Sequence, residues 1–549
     1  MLEFLVLKDE TIEPLVEPYC IRSINEKYDV WYYRNENLPP LSIARYTYAA
    51  IPKCFGLVDS TALEVSGILR LQDANTLSLK GEGVFVAFID TGINYTDEAF
   101  LDFAGNTRIY SMWDQTAGEN IQEGNCQFGT IYTKEQINQA LKSEDPLQVL
   151  PEQDENGHGT FLASVACGSE DIRNDFTGAA PEAELLVVKL RQPGKELRDF
   201  YFIPENKECY AETDIMLGIA WAEQIATEQN RPLVLCIGFG CNHGNHNGGS
   251  ALCDYLDSIA QRRHRAVVIA TGNEAVKQHH YLGLVESVLQ PDRIEINVEK
   301  RMGFYAEVWD LAPERISIVV QSPTGERRPV SGPQTSGSQT YQFLYEGTTL
   351  TVDFREGGRV SRDQLMFLRF SNASEGIWTL QIYPQNVVNG IFHIWLPMEG
   401  MTEGRVYFLN PNPDTTLTMP SDAVVSMTVG GYQATTGASY LESGRGFLSG
   451  GYTKPDFVAP AVEVSGKGLR GQYIRETGTS VAAAITAGAC AQILEWAVVK
   501  QNGLGINSVD IKNFLIRGCR RTLEQSYPNP QNGFGQLDVQ QSFELIRKE

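Results

Sequence analysis

A serine at the start of a helix of small residues is the first feature of this sequence that could do chemistry. In GTSVAAAITAG, residues 478–488, Ala482, Ala483, Ala484 and Ala487 favour a helix of little bulk that packs tightly inside a core. Thr479 and Ser480 fall in its first turn, where unpaired backbone N–H groups and the positive end of the helix dipole favour a developing negative charge. Such a place suits a nucleophile. It equally suits an ordinary cap, because Ser and Thr are preferred cap residues. Two further side chains share this glycine-flanked setting. His158 stands between Gly157 and Gly159, which let backbone or substrate approach the ring closely. Asp90 ends the apolar run of GVFVAFID and precedes Thr91-Gly92. Taken singly, His158 reads as structural and Asp90 as a turn former.

The elements that must hold these residues follow an α/β rhythm from about residue 67. Residues 83–94, 183–190, 232–240 and 266–275 are apolar runs of the kind found in central parallel strands, and helices are expected around 214–223 and 251–261. Alternation of this kind predicts a mostly parallel sheet with helices on both faces, and groups at the strands' carboxyl ends face the usual site crevice. From about 285 to 412 the period changes to two. Segments such as RIEINV, FYAEVWDL, RISIVV, TLTVDF and GIWTLQIYP, with turn clusters at 322–325 and 331–337, predict an inserted antiparallel β-sandwich or jelly roll. The α/β pattern returns at 423–432, and the tail is expected to be helical at 509–517 and 541–546. Residues 1–60 form a small α+β module with strands at 4–7 and 30–33 and a helix or loop between them. A segment of that size must lean on a larger neighbour. The chain thus divides into 1–60, a body in two parts (61–280 and 416–549), and an insertion at 281–415.

Asp90-Thr91-Gly92, Asn156-Gly157-His158-Gly159-Thr160 and Gly478-Thr479-Ser480 together resemble the three signature motifs of the subtilisin-like serine proteases, in that family's chain order. GAAPEAELLVVKL, ATGNEA and KPDFVAP support the resemblance at the expected places. It implies a catalytic triad. Ser480 needs a base to be nucleophilic at neutral pH, and His158 is that base. Asp90 holds the imidazole tautomer and stabilises its cation. The Ser480 backbone N–H and the Asn273 amide would receive the oxyanion. The resemblance also places a substrate pocket between Gly238-Phe239-Gly240 and Ala270-Thr271-Gly272, with Glu274 near it. Departures are present: Val, Ala and Ala follow Ser480 where Met, Ser and Pro are common at the first, third and fourth positions (the fourth here is also Ala), and no second His follows His158. The short N-terminal segment and the β insertion before the serine motif are similar to the Csp germination proteases of clostridial spores. That branch implies an N-terminal prodomain that is an intramolecular chaperone, cleaved between Leu57 and Ala62 and retained non-covalently, and a role in activating a cortex-lytic hydrolase by limited proteolysis. An ordinary N-terminal domain is the plainer alternative.

The remaining signals are weaker. Cys241, His243, His246 and Cys253 share one glycine-rich loop, but their spacing matches no zinc template, and a mobile surface loop beside the pocket is expected. Many subtilases carry calcium, and Glu170, Asp171 and Asp175 lie in the corresponding region. A solvated acidic loop is the expected reading there, so no metal or other cofactor is assigned. The 68 acidic and 45 basic residues give a net charge of -23, which argues against nucleic acid as a partner. No uninterrupted apolar run is read as a membrane span, and MLEFLVLKDE lacks a basic n-region, so a cytoplasmic or spore-associated protein is expected. Its ten scattered cysteines are accordingly expected to be free thiols. The partner is a protein or peptide substrate. Competing readings are a broad intracellular subtilisin and a pseudoprotease or binding scaffold.

Overall fold

A computed structural model describes residues 2–8, 17–34, 38–57, 66–73, 77–118, 121, 126–287, 289–310, 315–330, 337–355 and 363–548. The expected prodomain junction and most of the 331–337 turn cluster fall outside these residues.

The body is an eight-stranded sheet. In spatial order its strands are Phe457–Pro460, Met427–Tyr432, Arg265–Ala270, Leu233–Ile237, Phe85–Asp90, Glu184–Lys189, Ile109–Asp114 and Thr130–Thr133. Every pairing is parallel except that of the Thr130–Thr133 edge strand. Phe85–Asp90 and Leu233–Ile237 are buried along their whole length, as continuous apolar runs require in a sheet covered on both faces. One face packs on the His158–Cys167 and Thr479–Leu494 helices, the other on the Glu212–Glu228 and Ala251–Ala260 helices. All sixteen residues of the Thr479–Leu494 helix are buried. Its small residues allow this: a Cβ added at Gly488 would lie 2.3 Å from Ala179 Cβ. With its continuation to Val499 this helix is long and apolar enough to cross a bilayer, yet 89% of its apolar window is buried in the protein, as befits a core helix.

The insertion forms two antiparallel sheets of six and five strands, running from His280 to Phe408. Their inner faces share one core, in which Phe304, Val352, Leu368 and Phe370 meet Ile296, Ile318, Trp378 and Leu380. The N-terminal segment has three antiparallel strands in the order Leu2–Leu7, Tyr28–Tyr33, Cys20–Ser23. The middle strand of the sequence, Cys20–Ser23, was not expected. Alternation divides this small sheet between two neighbours: Leu5, Val30 and Tyr32 join the core of the body, whereas Phe4, Val6 and Tyr33 cluster with Phe200 and Tyr201 of the body and Tyr305 and Phe367 of the insertion.

Two expectations are corrected. Cys20 and Cys126 form a disulfide, because folding brings residues 106 apart in sequence to a Cα separation of 5.8 Å. The other eight cysteines are free and buried. The 241–253 loop is not mobile surface beside the pocket. Cys241, His243, His246 and Cys253 are all at most 2% exposed: Tyr305 and Glu307 of the insertion cover His243 and Trp395 stacks on His246, while Met419 and Asp422 of the body enclose Cys241 and Cys253. They also face different partners: His243 Nδ1 meets Glu307 at 2.6 Å, His246 Nδ1 meets the Leu417 carbonyl at 2.6 Å, and Cys253 Sγ meets Asp422 at 3.1 Å.

Candidate active site

Asp90 closes the Phe85–Asp90 strand at its carboxyl end, where its Oδ1 accepts from the Thr91 N–H at 2.8 Å. His158 opens the helix beside it. Its Nδ1 lies 2.8 Å and 3.0 Å from the two Asp90 oxygens, and both side chains are nearly buried, 8% and 4% exposed. Glycine makes this approach possible. A Cβ on Gly159 would stand 2.2 Å from the Gly92 carbonyl oxygen, so no other residue lets the helix start reach the Asp90 turn. The Gly159 N–H then donates to Thr91 Oγ1 at 3.0 Å.

The helix N-cap is Gly157, at φ 100°, which has no side chain to offer the first-turn N–H groups. Asp154 supplies the acceptor. Its carboxylate receives the backbone N–H of Asn156 at 3.1 Å, Gly157 at 2.8 Å and Thr160 at 3.0 Å, and the Thr160 hydroxyl at 2.6 Å. The carboxylate adds a favourable charge at the positive end of the helix. Asn156 accepts from the His158 N–H at 3.1 Å and donates to Glu208. Burial, with Asp154 and Asp90 adding to it, raises the Glu208 carboxyl above its ordinary value despite the Asn156 hydrogen bond. Neither Asp154 nor Glu208 was singled out in the sequence. The D-x-N-G order of residues 154–157 is the turn signal that could have found Asp154.

Ser480 arrives from the other side of the sheet crevice. A Cβ built on Gly238 would lie 3.2 Å from Ser480 Cβ and 3.3 Å from His158 Cε1, so serine and imidazole flank the same glycine. Ser480 Oγ is buried and makes no hydrogen bond among the described residues. Asn273 Oδ1 accepts from the Thr479 N–H at 3.2 Å, which orients the amide beside the helix start and leaves its NH2 half to donate elsewhere. Phe239–Gly240 and the 270–273 segment stand next to this centre. Glu274 turns away from it: its carboxylate is buried against His279 at 2.5 Å and Asn242 at 2.9 Å. Beside His158 lies a cleft of ≈ 470 Å3, walled by Asn156, Phe161 and the Leu469–Ile474 hairpin segment that precedes Gly478.

Of the acidic loop, Asp171 holds Asn174, Arg173 and Tyr473 by hydrogen bonds, and these pull its carboxyl down to about 2. Among the described residues no group of three His, Cys, Asp or Glu side chains could hold a metal ion.

A parallel sheet with an Asp–His pair at its carboxyl edge and a serine on a buried helix start defines a class, and the chain belongs to it: the Subtilase family matches residues 81–320 and 403–536. It is therefore a serine protease, a peptide hydrolase. The unmatched residues 321–402 lie within the two-sheet insertion. Among solved structures the chain is similar to the Clostridium perfringens CspB protease, with 29% identity, a TM-score of 0.77, and coverage of 88% of this chain and 96% of that one. A 125-residue stretch, 20% of this chain, is 31% identical to the subtilisin-like protease SBT3.6 of Arabidopsis thaliana and spans only 16% of that protein.

Proposed function

We propose that Asp90, His158 and Ser480 are the catalytic triad of an endopeptidase that acts by limited proteolysis, first on its own N-terminal segment and then on a proenzyme such as a spore cortex-lytic hydrolase. The observation that carries the triad is the convergence of Ser480 and the His158 ring on Gly238, with Asp90 2.8 Å behind the imidazole. His158 Nε2 takes the proton of Ser480 Oγ as it attacks the scissile carbonyl, and returns it to the leaving amine. Asp90 holds Nδ1–H and stabilises the imidazolium between those steps. The Ser480 N–H and the Asn273 Nδ2 donate to the oxyanion. Losing one such donor costs about 10²–10³ in turnover in this family, a magnitude carried over from it.

Self-cleavage is supported by the path of the N-terminal segment. Its Cys54–Leu57 strand pairs antiparallel with Phe239–Gly240, Leu57 opposite Phe239 and Gly56 opposite Gly240, next to the glycine that Ser480 and His158 flank. That is how an extended substrate adds to a protease's exposed edge. The segment's retention after cleavage is supported by the Cys20–Cys126 disulfide to the body, which makes it covalent rather than non-covalent as expected, and by Tyr48, whose hydroxyl donates to Glu307 of the insertion at 2.8 Å, while Glu307 also holds His243 of the body. The likeness to the CspB protease supports a proenzyme as the substrate and a site of action in the cell or spore. The deciding experiment is labelling by a fluorophosphonate, together with N-terminal sequencing, of the chain and of Ser480→Ala. Ser480-dependent labelling and a new N-terminus between residues 57 and 62 are expected. An unlabelled chain with the same intact N-terminus in both forms would refute the reading.

A further inference from the structure

Two of the eight free cysteines face each other where the N-terminal segment meets the active site. The Cys54–Leu57 strand is the middle one of three. It pairs antiparallel with Phe239–Gly240 on one side and with Tyr210–Ala211 on the other, where Cys54 stands opposite Ala211. Cys209 directly precedes that second body strand, and the Cys54 thiol donates a hydrogen bond to its sulfur. Both side chains are buried, 2% and 0% exposed, in one cluster with Leu197, Tyr201 and Ala211. The two sulfurs are not equivalent. Burial and the donated hydrogen bond hold the Cys54 thiol well above its ordinary value, whereas the accepted hydrogen bond, with the Arg198 guanidinium behind it, draws the Cys209 thiol down against its burial. Cys209 is thus the sulfur of the pair that ionises first. It follows the exposed Glu208, which Asn156 holds at the rim of the cleft beside His158.

We infer that Cys54 and Cys209 are a reversible redox pair, whose disulfide locks the cleaved end of the N-terminal segment against the Phe239–Gly240 edge and keeps the protease silent until it is reduced. The inference rests on the protease and self-cleavage readings above and adds a regulator to them. The Cys20–Cys126 bond does not serve this purpose. It ties the segment to the body far in sequence from Leu57, so a cleaved tail can still leave the edge. A bond at Cys54 leaves only Phe55, Gly56 and Leu57 before the expected cleavage region, and so short a tether holds the tail at a high effective concentration beside the site. The oxidant class is a hydroperoxide, small enough to enter when the strand opens locally. The Cys209 sulfur attacks the O–O bond and becomes a sulfenic acid as hydroxide leaves and takes up a proton. The Cys54 sulfur then displaces the sulfenic oxygen, which departs as water, and the S–S bond forms. In sum two thiols and one hydrogen peroxide give one disulfide and two waters, the thiols losing the two electrons that the peroxide gains. A dithiol reductant reverses it by thiol–disulfide exchange.

The test uses the full chain after processing, with Cys20–Cys126 intact, beside Cys54→Ser and Cys209→Ala. Each is treated with hydrogen peroxide, digested without reductant and mapped by mass spectrometry. Fluorophosphonate labelling of Ser480 is timed before oxidation, after it, and after dithiothreitol. We expect a linked Cys54–Cys209 peptide pair and labelling slowed at least about tenfold, as befits a tail held at high effective concentration. Dithiothreitol should restore the rate, which separates the disulfide from methionine oxidation, and neither variant should respond. Both variants keep the Cys20–Cys126 bond, so they also control for its reduction. Thermal melting identifies a variant that fails to fold, and the peptide map and labelling of the native chain then still decide. No linked pair after oxidation, a linked pair with unchanged labelling, or slowing that persists in both folded variants would overturn the inference while leaving the protease intact. A chain whose Ser480 fails to label before oxidation would instead overturn the protease reading, and the lock with it.

Discussion

Replacing Asp154 with alanine should disable His158 without touching it. In the native site one carboxylate, 6% exposed, accepts the N–H groups of Asn156 and Gly157 in the turn that leads into the helix, the N–H of Thr160 in the helix's first turn, and the Thr160 hydroxyl, whose oxygen in turn accepts from the Asn94 N–H at 2.9 Å. The alanine leaves those donors at the start of a helix whose N-cap is glycine. A hydrogen bond to a charged group contributes about 1.5–3 kcal/mol, but the terms do not add, and water can re-enter beside His158. Losing a cap typically costs about 1 kcal/mol, and we take about 2–4 kcal/mol for this larger network. Asp154→Asn retains one acceptor oxygen and should lose about half as much. The catalytic effect has a separate origin. His158 sits at the first position of that helix, and a shift of about 1 Å in a catalytic group costs roughly a hundredfold in rate. Fluorophosphonate labelling of Ser480 should therefore slow about 10- to 100-fold in Asp154→Ala and less than tenfold in Asp154→Asn, measured beside urea unfolding of each protein. A destabilised Asp154→Ala that labels at the wild-type rate would refute the claim that this carboxylate positions His158. Unchanged stability would refute the capping itself.

Three further outcomes are expected. Glu152 is buried beside the Asp90–Gly92 turn, and burial raises its carboxyl to about 8, the Asp114 and Asp154 charges adding to this and Lys189 opposing it. Its folded value exceeds the unfolded 4.5, so its contribution is fully present below about pH 4.5 and is lost as the pH rises through about 8. Glu152→Gln should therefore gain stability over the wild type at pH 8, by a few kcal/mol, and little at pH 5; equal gains in urea at both values would count against this assignment. Gly159→Ala should abolish labelling, because its Cβ would meet the Gly92 carbonyl 2.2 Å away and force helix and turn apart; wild-type labelling by a folded variant would contradict the close approach. Finally, the Cys20–Cys126 bond joins the N-terminal sheet to the body, so the processed chain should run as one band on a denaturing gel without reductant and as two with it. Two bands without reductant would show that the bond is absent.

The elements proved more legible than their contacts. The switch from long apolar runs to period two located the parallel sheet and the inserted sandwich, because buried central strands and half-buried antiparallel strands leave different patterns. The helix expected at 214–223 extends over Glu212–Glu228, and the tail helices at 509–517 and 541–546 over Ser508–Gly518 and Val539–Lys548, since tertiary packing rather than local pattern sets their ends. The Cys20–Ser23 strand is short and only one of its four residues is buried, so it carried no alternation to read.

Residue types and their order determined the family: glycine beside Asp90, His158 and Ser480 is a local requirement of close backbone approach, and local requirements leave their mark in the adjacent sequence. Tertiary structure alone decided which distant residues complete the site. Asp154 was within reach of sequence reasoning, but the convergence of Ser480 and His158 on Gly238 depends on three distant segments of the body meeting, and the covering of His243 by Glu307 and the joining of Cys20 to Cys126 depend on the docking of the insertion and the N-terminal sheet. Each is a contact between residues far apart in sequence, and no periodicity or spacing encodes the partner of a side chain across such a distance.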